Sequence, residues 1–144
     1  MNLVFLGQNP SRSAPNSAFI GSRSGKTLLS WIQLSGLDLS FCKFYNVFDE
    51  VDVTINNKST REKAMALDLR EKLVGADIVF ACGEVAYRAS KLCSEFHQLN
   101  LNIVRLPHPS GLNRKLNDDS FVKETIEKIR RSYEDSVRKK MEEV

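Results

Sequence analysis

Short apolar runs alternate with amphipathic stretches along the whole chain, and this alternation constrains the fold more than any other feature. Each apolar run is long enough for a buried strand, and each amphipathic stretch has the apolar spacing of a helix. We expect strands over residues 3–6, 43–48, 77–82 and 102–106. Alternation of this kind predicts an α/β fold with three layers, α/β/α, around a central, mainly parallel four-stranded sheet.

The helices predicted between and after these strands are 27–36, 59–75, 83–96 and about 119–140. Ser59 or Thr60 is expected to cap the second helix, and Gly75 is expected to end it. The last helix has an apolar stripe, but its final turns have little to bury and should fray. We interpret residues 1–144 as a single domain with this helix at its C-terminal end.

The composition is that of a soluble globular protein, with 42% hydrophobic and 27% charged residues. The net charge is only +3, but the segments NPSRS, GSRSGK and GLNRK carry positive charge alone, which favours an anionic partner. Cys42, Cys82 and Cys93 have neither metal-binding nor C-x-x-C spacing, so we expect no disulfide and no metal site. Because the sequence shows no signal peptide and no membrane span, a cytoplasmic location is expected.

The glycine-containing stretch FIGSRSGKTLL, residues 19–29, raises the question of a phosphate-binding loop. A P-loop has four residues between its glycines, whereas Gly21 and Gly25 are one residue closer. The residues before them read as a loop rather than a buried strand. A helix N-terminus with Gly25 near the cap is the simpler interpretation, and an unrelated nucleotide-binding α/β protein stays an alternative.

Binding sites in parallel α/β folds form beyond the carboxyl ends of the strands. Four segments occupy those positions here: GQNPSRS, NVFDE, CGE and PHPSGLNR. His108, in the last of them, lies between two prolines that restrict the backbone around the imidazole. His97 lies in a polar helix end and is interpreted as a surface residue. We therefore consider His108 the candidate functional histidine.

Two of these segments resemble signature motifs of the uracil-DNA glycosylase superfamily. GQNPS after the first strand is similar to GQDPY of the main uracil-excising branch, GMNPG of the single-strand-selective monofunctional branch and GINPG of the mismatch-specific branch. HPSGLN after the last strand is similar to HPSPLS and HPSPRN. Residues 18–48 and 76–89 also resemble segments of the thermostable iron–sulfur branch, so the likeness runs in order over about residues 3–116.

The resemblance implies a cavity for an extruded base and gives a role to each motif residue. Asn9 would position the attacking water, and His108 would donate a hydrogen bond to the O2 atom of the leaving uracil. Asn46 would read the N3–H and O4 groups of the base, and Phe19 would be the aromatic platform on which the base stacks. The other residues expected at the base are Gly7, Gln8 and Ser11.

The resemblance also implies contacts with DNA. Leu112 would be the wedge that fills the gap left by the flipped nucleotide. Ser11, Ser110 and Arg114 would bind backbone phosphates. The other residues expected near the DNA are Arg12, Arg23, Lys26, Asn113 and Lys115.

Three departures from the family pattern refine the prediction. Ser11 replaces the tyrosine that crowds the C5 atom of the base in the main branch, which predicts tolerance of 5-modified uracils such as 5-hydroxymethyluracil. The three cysteines do not reproduce the four of the iron–sulfur branch, so we expect no cluster and no other cofactor. No lysine stands at a motif position where it would form a Schiff base, so strand cleavage is not expected.

The sequence therefore predicts a monomeric, monofunctional DNA glycosylase that acts on single- or double-stranded DNA without a metal or membrane partner. The alternative is a non-catalytic binder of single-stranded or flipped-base nucleic acid. Asn9 keeps this alternative open, because it replaces the aspartate of the main branch and an amide is a poor base. General-base assistance typically contributes about 10²–10⁴-fold to a rate, so slower chemistry is expected.

Overall fold

A parallel four-stranded sheet forms the centre of the computed structural model, which describes residues 1–12, 18–19, 21–110 and 114–143. Its strands are β1 (Leu3–Gly7), β2 (Cys42–Asn46), β3 (Ile78–Cys82) and β4 (Ile103–Leu106). They lie in the order β2-β1-β3-β4, and every pairing is parallel. The predicted sheet is therefore confirmed, with strand ends within two residues of those expected.

Helices cover both faces of the sheet. Within the described residues they are α1 (Arg23–Ser35), α2 (Asn57–Met65), α3 (Leu67–Leu73), α4 (Glu84–Phe96) and α5 (Asp119–Glu142). Short 3-10 turns lie at Leu39–Phe41 and Arg114–Asn117. Across these ranges, no helix combines the length and the apolar character that a membrane crossing requires.

The side chains of β1 divide the core into two halves. Leu3 and Phe5 pack in the half formed with α1 and α5, whereas Val4 and Leu6 pack in the half formed with α2, α3 and α4. All four side chains are fully buried. A parallel strand with helices on both sides needs apolar residues on both of its faces, which explains the continuous run LVFL. The predicted three-layer α/β/α architecture is confirmed.

The region between β2 and β3 forms two helices, so the single helix predicted over residues 59–75 is wrong. Ala66 has an extended backbone (φ −71°, ψ 144°) and separates α2 from α3. The predicted caps, Ser59 and Thr60, lie inside α2, and Asn56 is the actual N-cap. The Asn56 side chain accepts from the Ser59 N–H, and the Ser59 hydroxyl accepts from the Asn56 N–H, which forms a capping box.

Helix α1 begins four residues before the predicted start at residue 27. Ser22 is its N-cap, and the Ser22 hydroxyl accepts a hydrogen bond from the Gly25 N–H at 3.0 Å. Gly36 ends the helix in a left-handed conformation (φ 80°), as glycine commonly does at this position. Residues 23–29 of the glycine-containing stretch therefore belong to the first turns of a helix.

The strand order opens a crevice beyond the carboxyl ends of β1 and β3. From β1 the chain continues to β2 on one side, whereas from β3 it continues to β4 on the other side. Connections that leave neighbouring strands in opposite directions create the space in which open α/β sheets bind ligands. Residues that follow β1 and β4, together with the last residue of β2, line a cavity there.

Candidate active site

A cavity of about 240 Å³ lies at this crevice. It is smaller than the roughly 300–1,000 Å³ pockets that take drug-sized ligands, which suits a single flat ring. The side chains and backbone that line it belong to Gln8, Asn9, Pro10, Ser11, Phe19, Ser22, Ser24, Asn46 and His108. Six of these residues were predicted at the base, and they come from four separate parts of the chain.

The amide of Asn9 has a fixed orientation. Its Nδ2 atom donates a hydrogen bond to the carbonyl oxygen of Val51 at 2.7 Å. Only the amino end of an amide can donate to a carbonyl, so Oδ1 is the end that can accept from a water molecule. This arrangement suits the orientation of a water but supplies no proton acceptor of high basicity.

Asn46 is a buried polar residue at the end of β2, where it pairs with Gly7 of β1. Only 7% of its surface is exposed, yet its side-chain amide makes no hydrogen bond within the described part of the chain. Neither amide atom of Asn46 is fully enclosed, because the one fully enclosed side-chain atom without a partner among the described residues is Oδ1 of Asn2. Asn46 therefore presents an unused donor and acceptor at the cavity wall.

The backbone of Asn46 is held by a lysine from the neighbouring layer. The Lys72 ammonium donates to the Asn46 carbonyl oxygen at 3.0 Å. It also pairs with the carboxylates of Asp49 at 2.8 Å and Asp68 at 3.2 Å. The side chain of Lys72 is only 14% exposed, so these bonds are partly shielded from water. Lys72 thus anchors the strand end that carries the side-chain amide of Asn46.

Phe19 packs directly against Gly7. A Cβ atom on Gly7 would lie 2.6 Å from Cζ of the Phe19 ring and 2.7 Å from Oδ1 of Asn46. The ring also makes an edge contact with Phe44, with centroids 6.3 Å apart. Phe19 has a left-handed backbone (φ 69°), which is unusual for a bulky residue and costs about 1–3 kcal/mol. Strain of this size is typical of positions that a functional site holds in place.

The carbonyl of Phe19 is hydrogen-bonded to the start of α1. It accepts hydrogen bonds from the Ser22 N–H at 3.1 Å and from the Ser22 hydroxyl at 2.6 Å. A Cβ atom on Gly25 would lie 1.7 Å from the same oxygen, so only glycine fits there. Gly25 is therefore needed for close packing between the Phe19 carbonyl and the start of α1. This packing explains the glycine pattern without a phosphate-binding loop.

The imidazole of His108 is held as a neutral donor. Its Nδ1 atom accepts a hydrogen bond from the Ser110 N–H at 3.1 Å, so the proton of the neutral ring is on Nε2. Burial lowers the pKa of His108 below its usual value, which keeps the ring uncharged at neutral pH. The ring packs on Gly83, whose Cβ, if present, would lie 3.2 Å from Cδ2.

Of the described residues that were expected near DNA, only Ser11 lines the cavity. Arg12 forms an exposed ion pair with Asp52 at 3.0 Å. Lys26 is exposed in the first turn of α1, and Arg114 is exposed in a 3-10 turn. The remaining expected residues are Arg23, exposed on α1, Lys115, 5.9 Å from the ring of Phe121, and Ser110, which contacts His108. Leu112 and Asn113 lie outside the described residues.

Five residues at the site were missed by sequence reasoning: Pro10, Ser22, Ser24, Lys72 and Val51, whose carbonyl binds Asn9. A Ser-x-x-Gly pattern before an apolar run could have identified Ser22 as a cap. Lys72 had no such signal, because it reaches Asn46 across 26 positions and looks like any charged helix residue.

The cysteines stand apart from the cavity. Cys82 and Cys93 are buried and Cys42 is half-buried, and burial raises the pKa of Cys82 to about 12. Among the described residues, no group of three or more His, Cys, Asp or Glu side chains could hold a metal ion.

Comparison with known families gives one match. The family described as the uracil DNA glycosylase superfamily matches residues 1–130, which is most of the chain. The comparison with curated proteins found no match. The family match covers both motif segments, all four strands and every residue that lines the cavity.

Proposed function

The chain belongs to the uracil DNA glycosylase superfamily, and we propose that it is a monofunctional glycosylase that removes uracil or a 5-modified uracil from DNA. Membership in the family supports a DNA glycosylase-type activity at the level of the family. The observation that carries the finer proposal is the cavity itself, because Asn9, Phe19, Asn46 and His108 all line it.

The reaction breaks the bond between C1′ of the sugar and N1 of the base. The electron pair stays on the base, which leaves as an anion, and the sugar becomes oxocarbenium-like. A water oxygen then bonds to C1′ and loses a proton to the surroundings. The protein therefore needs donors directed at the departing base, a group that recognises its edge and a positioned water.

Recognition of the base rests on Phe19 and Asn46. The base would leave the helical stack and stack on the Phe19 ring, which replaces part of the lost stacking. The free amide of Asn46 would accept from N3–H and donate to O4. Cytosine offers an acceptor at N3 and a donor at N4, so the same amide orientation would reject it.

Cleavage rests on His108 and Asn9. The Nε2–H of neutral His108 would donate to O2 as negative charge builds on the base. The Oδ1 atom of Asn9, whose amino end is fixed by Val51, would accept from the attacking water and direct it to C1′. Because an amide does not take the proton, His108 would contribute more to the rate than Asn9.

The polar wall of the cavity supports a 5-modified substrate. Ser11 stands where a tyrosine would crowd the C5 atom, and Ser22 and Ser24 add two more small polar side chains to the lining. Small hydroxyl groups leave space for a substituent and can bond to a polar one. We therefore include 5-hydroxymethyluracil in the proposed substrate class.

The contact with DNA would involve the rim of the cavity. Ser110, Arg114, Arg12 and Lys26 are the candidates for binding phosphates, and Leu112 is the candidate wedge. The exposed pair of Arg12 with Asp52 is no obstacle, because such pairs are worth only about 0.2–1 kcal/mol. Within the described lining of the cavity there is no lysine, which supports hydrolysis without a Schiff base.

The test is single-turnover base release from oligonucleotides that carry uracil, 5-hydroxymethyluracil or hypoxanthine, followed by alkali cleavage. We expect release of the two pyrimidines by the unaltered protein. His108→Ala should be slower by about 10²–10³-fold, and Asn9→Ala should be affected less. Equal release by all three proteins would refute the proposed roles.

A non-catalytic binder of flipped or single-stranded nucleic acid is the second candidate. Asn9 favours it, because the amide is bound to Val51 and cannot accept a proton. In that case a uracil oligonucleotide would bind more tightly than its cytosine counterpart, and neither would lose its base. If the protein instead released uracil but not 5-hydroxymethyluracil, only the part of the glycosylase proposal that concerns 5-modified uracils would be refuted.

A further inference from the structure

Helix α1 directs its N-terminal end at the cavity. Ser22, its N-cap, and Ser24, in its first turn, both line the wall. The first N–H groups of a helix have no carbonyl partner within the helix, and the aligned peptide dipoles add to them, so this end carries a partial positive charge. The helix is 13 residues long, so its dipole is fully developed.

No carboxylate neutralises this charge in the first turn of α1. Acidic side chains are favoured at such positions, but the first turn contains none. It carries Arg23 and Lys26 instead, both exposed. Within the described residues, the N–H groups of Gly25 and Lys26 bond to Ser22, whereas those of Arg23 and Ser24 have no acceptor.

A second feature of the same cavity points to a ligand. Asn46 is more than nine-tenths buried, lines the cavity and has an amide without a hydrogen bond in the described part of the chain. Its amide atoms are not fully enclosed, so a molecule bound in the cavity can supply the hydrogen bonds that the protein does not. The cavity therefore fits a polar molecule that touches Asn46 and the end of α1 together.

On the basis of the proposed function, we infer that α1 stabilises the departing base anion through its N-terminal end, with Ser22 and Ser24 forming that part of the wall. When the C1′–N1 bond breaks, the electron pair stays on the base and its charge spreads to O2 and O4. A fixed positive end stabilises this anion more than the neutral bound base, so it lowers the barrier. This effect is separate from the hydrogen bond that His108 would donate to O2 of the base.

The test places a carboxylate in the first turn. Ser24→Asp adds a negative charge at the cavity, and Ser24→Asn is the neutral control of the same shape. An acid near a helix N-terminus stabilises the helix, so Ser24→Asp should have a thermal midpoint at or above that of Ser24→Asn. Gln33→Glu adds the same charge near the far end of α1, where residue 33 is exposed.

The readout is single-turnover release of uracil and of 5-fluorouracil from otherwise identical oligonucleotides. Fluorine withdraws electrons, so 5-fluorouracil leaves as a more stable anion and depends less on the protein. We expect Ser24→Asp to release uracil about 10- to 30-fold more slowly than Ser24→Asn. The loss should be smaller for 5-fluorouracil, and Gln33→Glu should match the unaltered protein on both.

Several results would overturn the role of α1. These are equal rates for the two Ser24 variants, a loss of the same size on both bases, a matching loss in Gln33→Glu, or a lower thermal midpoint for Ser24→Asp. A loss that does not depend on the leaving group would reflect DNA binding alone. Release of neither base by the unaltered protein would instead refute the glycosylase proposal, and this inference with it.

Discussion

The ring of Phe19 fills the space that a side chain at residue 7 would need. A Cβ atom on Gly7 would lie 2.6 Å from Cζ of Phe19 and 2.7 Å from Oδ1 of Asn46. The absence of a side chain at this strand end therefore allows the Phe19 ring and the Asn46 amide to reach the same cavity. Gly7 contributes to the site through its small size, which the motif resemblance alone did not explain.

Gly7→Ala should disable the site while leaving the fold intact. Both obstructing atoms are at the ends of side chains that can swing away, so we expect a stability loss of about 1–3 kcal/mol. The displaced ring and amide should abolish measurable base release. Gly36→Ala is the control, because its strained conformation should cost about 1–2 kcal/mol with nothing nearby to displace. Denaturant unfolding and single-turnover release separate the two effects, and full activity in Gly7→Ala would contradict this account.

Asn46→Ala should lose activity without losing stability. The Asn46 amide makes no hydrogen bond within the described residues, so its removal breaks none there. Base release should fall by about 10²–10³-fold, because a donor to the departing base is lost. Ser35→Ala is the contrasting variant, because the buried Ser35 hydroxyl donates to the Ile32 carbonyl. It should lose about 1 kcal/mol of unfolding free energy and keep normal base release. Thermal melting and release assays on both variants check the contrast.

The burial of His108 makes stability depend on pH. Burial lowers its pKa in the folded chain, whereas the unfolded chain has the ordinary value near 6.5. The unfolded chain therefore binds more protons below that value, so this contribution is complete above about pH 6.5 and is lost as the pH falls through the folded pKa. As the pH is lowered from about 7.5 to 5, the thermal midpoint should fall less for His108→Gln than for the unaltered protein. His97→Gln is the control, and its thermal midpoint should still show the decline that is due to His108. Identical pH dependence of the thermal midpoint in the unaltered protein, His108→Gln and His97→Gln would disprove the assignment.

Lys72→Met should weaken both the fold and the selectivity. It leaves the Asn46 carbonyl without its donor and the carboxylates of Asp49 and Asp68 without a shared cation. We expect a loss of about 1–3 kcal/mol in unfolding free energy. We also expect a lower preference for uracil over cytosine, because the strand end that carries the amide loses an anchor. Lys58→Met removes an exposed charge and should change neither quantity.

The strands and the motif residues could be predicted from the sequence because each depends on local signals. Buried strands appear as apolar runs, and the carboxyl ends of parallel strands meet at one edge, so Asn9 and His108 could be expected at the same place. In the structure both residues line one cavity. Their chemical roles stay predictions.

The break at Ala66 and the contact of Lys72 could not be predicted in the same way. The sequence around Ala66 has no glycine or proline, and its helical spacing continues across the break. Packing of α2 and α3 against the rest of the core overrides such local preference. Asn56 was missed because its capping partner is a serine, whereas the usual signature has a glutamate or glutamine.

The contacts between the Phe19 carbonyl and the start of α1 restrict how the cavity could be redesigned. The Phe19 carbonyl accepts from Ser22 and lies against Gly25, so the backbone of residue 19, from which the ring projects, cannot shift without moving the start of the helix. An engineer who wished to admit a bulkier nucleobase would find adjustable volume at Ser11 and Ser24 instead. Variant libraries built on this scaffold should therefore diversify those two serines and keep residues 19 and 25 constant.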